Sequence, residues 1–423
     1  MTEETTSPTS GTRDKATSVV IAMTVMNVCT YAFTLLAARL TNPVEYGQVV
    51  AAINLLTVIQ VLALAIQAVA ARRIASDPAH VAQIERVTLK LTATVSLAIG
   101  ALLLLAVPLV QRLLQLDGPA VAIIIALGAI PLTYTGGQMG ILQGERRWGA
   151  LSLAYVMAGV PRLVVGTALI LVKPETIPAV LGVTIGYVFP VIVGFIALRG
   201  RRSKGPRSSE HTPLSMLREG TLNSQALLAY FALSSGDILV ARQVLDGHDA
   251  GLYAGALIMT KTMLFLPQFV VVLSFPDMAT ASARRRALWR SLSIVLALGG
   301  IAVLASWLLS SIALFFVGGS KYGEIESHLW QFALLGLLLA MIQLMVYSVL
   351  ARQGARTAFL VWLALAALVG FGLQTETYLE LAWVAIAVNA VLFAALLIVS
   401  LFTIRGDSPA AGTVDALAAE SIN

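Results

Sequence analysis

The chain is poor in charge. Only 12% of its 423 residues are Asp, Glu, Lys or Arg, about half the share of a soluble domain. It holds one cysteine, Cys29, which excludes a disulfide framework, a Cys-based metal cluster and a redox pair. Its four histidines, at 80, 211, 248 and 328, have no metal-ligand spacing, so neither a metal nor any other cofactor is expected. There is no nucleophile–His–acid set and no phosphate-cradling glycine loop, which argues against an enzyme. Apolar residues are what is abundant, at 58% of the chain with a mean hydropathy of +0.86. Soluble, disordered and disulfide-stapled classes are excluded, and the composition is that of an integral membrane protein.

A membrane span needs about 20 mostly apolar residues. Twelve such runs follow one another: 18–38, 47–70, 88–110, 120–143, 149–172 and 178–198, then 219–242, 251–275, 289–316, 327–350, 357–374 and 379–403. The first is too long for a signal peptide, and an acidic tail with Glu3, Glu4 and Asp14 precedes it. The polar tails 1–17 and 404–423 are expected to be disordered. With the N-terminus placed in the cytoplasm, 21 Lys and Arg fall on the inner side, 5 on the outer side and 2 within spans. This bias sets both termini in the cytoplasm of a cell inner or plasma membrane protein. It also accounts for the net charge of +6, so no nucleic-acid partner is implied.

The basic stretch 199–218 is the one substantial loop and divides the chain into lobes 18–198 and 219–403. The expected fold is therefore all-α and polytopic, with two six-helix lobes around a central cavity. The first outer hairpin, Ala38-Arg39 to Glu45-Tyr46-Gly47, has a counterpart in Ala241-Arg242 to Leu252-Tyr253-Ala254. Aligning the two tyrosines places Asn54 opposite Lys261. Transporters commonly hold their substrate at such a repeat interface, with Asn27 and Asn54 as polar cavity residues here.

The residues Leu35-Leu36-Ala37-Ala38-Arg39-Leu40 through Glu45-Tyr46-Gly47 resemble the opening of polysaccharide-export flippases. So do Asp237-Ile238-Leu239-Val240-Ala241-Arg242, Ala250-Gly251-Leu252-Tyr253-Ala254 and Phe275-Pro276. These flippases belong to the multidrug/oligosaccharidyl-lipid/polysaccharide exporter superfamily. The resemblance implies two six-helix lobes that move a polyprenyl-diphosphate-linked oligosaccharide from the inner to the outer leaflet by alternating access, for cell-surface polysaccharide biosynthesis. It also implies a lipid-linked glycan, membrane lipids and a glycan polymerase as partners, and a monomeric carrier.

A charge deep in a span costs about 2.5–3.5 kcal/mol on insertion scales. Arg162 and Lys261 lie inside spans, Asp237 lies five residues below Arg242, and Arg39 and Arg242 close their spans. Together the four cations are candidates to draw a diphosphate into the cavity, since Arg matches phosphate oxygens bidentately. Asp237 is the candidate coupling group or charge partner of Lys261. The bland alternatives are snorkelling for Arg39 and Arg242, a structural Asp237–Lys261 pair, and a role for Arg162 beside Pro161. Pro131, Gly136, Gly137, Pro161, Pro190 and Pro267 are expected to interrupt their helices, as static kinks or as bending points.

The competing functions are a cation-coupled drug or metabolite exporter of the same superfamily and a membrane glycan polymerase or ligase. Against the exporter, residues 18–38 lack the coupling carboxylate common in such relatives. Against the polymerase or ligase, the longest outer loop, Gly318 to Ser327, is about ten residues. A major-facilitator carrier also has 6+6 helices, but the loop Arg72-Arg73-Ile74-Ala75-Ser76-Asp77 lacks that family's glycines.

Overall fold

The computed structural model describes residues 10–200, 208–265, 281–350 and 355–406, and every element among them is helical. The first lobe comprises α1 (Ser10–Leu40), α2 (Pro43–Ser76), α3 (Val81–Leu105), α4 (Val107–Leu114), α5 (Pro119–Gly144), α6 (Trp148–Val172), α7 (Thr176–Gly186) and α8 (Val188–Ala197). The second comprises α9 (Pro213–Val244), α10 (Gly247–Met263), α11 (Ala281–Leu308), α12 (Ser310–Val317), α13 (Leu329–Leu350), α14 (Ala355–Gly372) and α15 (Tyr378–Gly406). Short 3₁₀ turns, Pro78–His80 and Gly319–His328, precede α3 and α13.

Ten of the described helical stretches are long and apolar enough to cross a membrane. The other two expected spans are α14, whose apolar stretch Ala358–Gly372 is shorter, and α10, whose expected continuation to residue 275 lies outside the described residues. This is a multi-pass membrane protein. The helices overrun the expected boundaries: α1 starts at Ser10, α9 at Pro213, and α15 reaches Gly406.

Capping chemistry explains the two hairpins. Asn42 is extended, and its side chain accepts from Glu45 N at 2.8 Å. Pro43 fills the first helical position, where a missing N–H is harmless. Asp246 accepts from Asp249 N at 2.8 Å in the same way. Matching the caps pairs Gly47 with Gly251 and moves the tyrosine-based register by three residues, so Asn54 stands opposite Ile258 rather than Lys261. The two glycines meet in space, since a Cβ on Gly47 would lie 3.2 Å from Gly251 Cα.

Three spans are built of two helices each, with breaks at Ala106, Tyr187 and Leu309. Pro108 and Pro190 follow the first two breaks and remove donors there; the third carries no proline. Pro190, an expected interruption, stands just past the second break; the other expected interruptions among the described residues do not break their helices, and here the reading is corrected. α5 runs unbroken through Pro131, Gly136 and Gly137, and α6 through Pro161. A Cβ on Gly136 would run into Ala63 O, and one on Gly137 into Thr92 Oγ1, so these glycines let α2 and α3 close on α5. Pro267 lies outside the described residues.

The lobes repeat one packing scheme. In the first, α1 packs on α6, α2 and α3 on α5, and α7 on α5 and α6. In the second, α9 packs on α14, α10 and α11 on α13, and α15 on α13 and α14. The lobes meet mainly along α2, which touches both α9 and α10. At the hairpin end one apolar core runs across both lobes, from Phe33 and Tyr46 to Tyr253 and Phe332. Toward the linker end the core splits into two clusters, one in each lobe except that Met216 of α9 joins the first-lobe cluster. Polar side chains join the lobes there instead.

Candidate functional site in the cavity between the lobes

Between the two seams lies a cavity of about 350 Å³, walled by α1, α2 and α6 on one side and by α9, α10 and α13 on the other. That volume is in the range of small-ligand sites. A larger groove of about 830 Å³ between α14 and α15 is mostly apolar, lined by residues such as Leu363, Phe371 and Trp383, with Gln374, Thr375 and Glu380 as its polar groups.

Arg162, Lys261, Asn27 and Asn54 all line the inter-lobe cavity. Arg162 is 7% exposed, and its Nε and NH2 have no hydrogen-bond partner. Its guanidinium carbon stands 5.6 Å above the Phe33 ring. Gly186 lets α7 pass against its backbone, because a Cβ there would come within 2.9 Å of Arg162 Cβ. From the other lobe, Lys261 Nζ donates to Ser234 O at 2.9 Å. An ammonium has three donors, so this bond anchors the head group without exhausting it. Asn54 Nδ2 donates to Val50 O at 2.9 Å, one turn back on its own helix. No Asp or Glu lines this cavity among the described residues.

The remaining candidates lie elsewhere. Arg39 is exposed, donates to Phe315 O at 2.6 Å and stacks on the Phe315 ring at 4.3 Å. Arg242 does not snorkel: it is 2% exposed and closes the C-terminus of α4, donating Nε to Leu114 O at 2.9 Å and NH2 to Gln115 O at 2.6 Å. Asp237 is buried and accepts from Ile238 N at 2.8 Å and Tyr253 Oη at 3.3 Å. It stands near enough to Lys261 to attract it, but the two form no ion pair within 4 Å, so the expected contact is absent.

Sequence reasoning missed the groups that join the lobes. Tyr31 Oη and Thr262 Oγ1 share a 2.5 Å hydrogen bond beside the cavity, and Tyr46 packs edge-on against Tyr322, centroids 6.3 Å apart, at the hairpin end. At the linker end Glu219 binds Arg72 and, at 2.6 Å, Arg73. Asp77 there meets His211 and His80, whose hydrogen bonds hold its carboxyl down at about 2. Those between the lobes lie far apart in sequence, Arg72 and Glu219 by 147 residues and Tyr31 and Thr262 by 231, and leave no local pattern. Arg72 and Arg73 were legible only as topology charges.

The fold is thus two helical lobes with a cavity between them. No family model matches the sequence, and no curated protein does. Solved structures do match. An inward-facing multidrug resistance MATE family transporter of the MOP superfamily superposes with a TM-score of 0.71 at 15% identity, over 92% of this chain and 100% of that one. The lipid II flippase MurJ in an inward closed conformation gives 0.71 at 16% identity, over 90% and 86%. A MOP superfamily transporter from Pyrococcus furiosus, described by a reversed polarity of its binding pocket, gives 0.60 at 17%, over 95% and 99%. The fold is that of MOP superfamily transporters, in which two lobes face each other.

Proposed function

We propose that this protein is a flippase for a polyprenyl-diphosphate-linked oligosaccharide, moving it between leaflets by alternating access. The observation that carries the reading is the Arg162 guanidinium, buried at the cavity wall with two of its nitrogens unsatisfied. A desolvated cation without a partner is costly and is a functional candidate by default within a membrane. A phosphate oxygen is the acceptor that its geometry suits. Lys261 on the facing lobe supplies a second cation, and the lack of a carboxylate among the described lining residues disfavours a cationic drug. Asn27 and Asn54 add neutral groups suited to sugar or phosphate oxygens. Arg39 and Arg242 are assigned to holding the fold, and Asp237 to biasing Lys261 from behind.

The exporter reading remains the second one, because the same fold serves MATE family multidrug transporters as well as the MurJ flippase. Proteoliposomes separate the two. Arg162→Met and Lys261→Met should each abolish transfer of a diphosphate-linked lipid across the bilayer while the protein still reconstitutes. The double variant Asp237→Asn/Lys261→Met should also fail to transfer. Wild-type transfer by these variants, or uptake of a cationic dye by the unaltered protein but not of the lipid, overturns the assignment.

A further inference from the structure

Asp77, His80 and His211 converge at the linker end of the seam. Asp77 follows the last turn of α2, His80 ends the 3₁₀ turn after it, and His211 stands two residues before α9 in the other half of the chain. Asp77 Oδ2 lies 2.8 Å from His80 Nδ1 and 2.8 Å from His211 Nε2. The three donor atoms all lie within 4.8 Å of one another, and the imidazole centroids are 5.7 Å apart. We propose that these three side chains are a binding site for a divalent transition metal of the zinc class, bridging the two lobes.

The donor set selects the ion. Two imidazole nitrogens and one carboxylate suit zinc and its neighbours, whereas magnesium and calcium favour all-oxygen shells. A tetrahedral ion with ligand bonds of 2.0–2.1 Å holds its donors about 3.3 Å apart. The two 2.8 Å separations are hydrogen-bond distances, so an ion taking the place of the bridging protons needs the carboxylate oxygen to draw back by about half an ångström, while the two imidazole nitrogens, within 4.8 Å of each other, close toward the same spacing. Access is available, since the His80 and Asp77 side chains are 25% and 30% exposed while His211 is 7% exposed. The open side leaves room for water as a fourth ligand.

The opposing charge comes from Arg73, whose NH1 lies 3.5 Å from His211 Nδ1. That guanidinium is held by Glu219 through Nε at 2.8 Å and NH2 at 2.6 Å, and its NH1 donates to Glu210 O at 3.0 Å and Ser215 Oγ at 3.1 Å. The two hydrogens of NH1 are thus shared among the imidazole and these two nearer oxygen acceptors. Glu219 also serves Arg72, so one carboxylate answers two guanidiniums and a positive charge remains nearby. The site is accordingly a reversible one that takes up an added ion rather than a permanent structural centre. An ion bound there ties the α2–α3 turn to the start of α9 and holds the linker end shut.

Zinc chloride titrated calorimetrically into the full-length protein in nanodiscs, after removal of metals by chelation, tests this. One saturable equivalent is expected, with a matching rise in the unfolding temperature and none with magnesium. His211→Gln and His80→Gln should each weaken binding at least tenfold, beyond what changes around a metal's ligands typically do at their mildest. His248→Gln, whose imidazole faces Glu324 at 3.2 Å far along the sequence from this cluster, should leave it unchanged. Should His211→Gln misfold, His80→Gln on the partly exposed turn still decides. An isotherm shared by the wild type and both histidine variants, or no saturable binding, overturns the site and leaves an ordinary hydrogen-bonded cluster.

Discussion

Arg162 and Arg242 are both buried arginines on helices, yet they face opposite demands. Arg242 donates to the Leu114 and Gln115 carbonyls at the end of α4, whose last turn would otherwise lack partners. Arg242→Met should therefore destabilise by about 1–3 kcal/mol for each carbonyl left bare. Arg162 has no such debt to a neighbour. Arg162→Met keeps most of the volume and removes a poorly satisfied charge, so its unfolding temperature should equal or exceed the wild type's even as transport is lost. Parallel thermal unfolding of the two variants in detergent checks both, and a fall in both alike would mean that Arg162 holds the fold. The insertion cost of charge made all the deep cations legible from the sequence. Which of them faces the cavity was not legible, because the partner that claims Arg242 lies 128 residues away.

At the scale of elements, helix contacts depend on residues without side chains. A Cβ on Gly251 would run into Pro43 O where the lobes meet, and one on Gly136 into Ala63 O within the first lobe. Gly251→Val and Gly136→Val should each cost about 1–3 kcal/mol by overpacking, whereas Gly323→Ala, with nothing within 4 Å, should be silent. Unfolding midpoints would show this, and equal midpoints for all three would refute the packing role. The twelve apolar runs were readable one by one because length and hydropathy are local properties. The role of Gly136 and Gly137 was not, since a membrane glycine serves as a break or as a contact depending on its neighbour. Pro108 and Pro190 did carry a signal for two of the three breaks. The break at Leu309 has no local cause in the sequence.

For the whole molecule, topology and the seams are the testable features. Reporters fused after Lys204 and after Lys321 should label on opposite sides of the membrane, and labelling on one side would dismantle the twelve-span arrangement. The even division into two lobes could be read from spacing and charge, but the difference between the seams could not. One seam is a continuous apolar core, and the other is held by Glu219 against Arg72 and Arg73. Glu219→Gln removes the acceptor of both arginines, so the linker end should open more often. In a Cys29→Ser background, a cysteine at Gln60 in the cavity wall should then react several-fold faster with a membrane-impermeant thiol reagent applied from the linker side. An unchanged rate would show that the ionic seam does not limit access.

Helix α2 takes part in both seams. Its 34 residues make a rod about 51 Å long at 1.5 Å per residue, against a hydrocarbon core of about 30 Å. Near one end Gly47 meets Gly251; near the other Arg72 and Arg73 meet Glu219. A stiff rod braced near both tips behaves like the beam of a seesaw. In the proposed cycle, tilting it would lift one tip away from the opposite lobe and press the other tip inward, so the two doors would share a single moving part. In the proposed alternating-access cycle this geometry would discourage both from standing open together, and a membrane crossed by such a protein would keep its ion gradients without any separate lock.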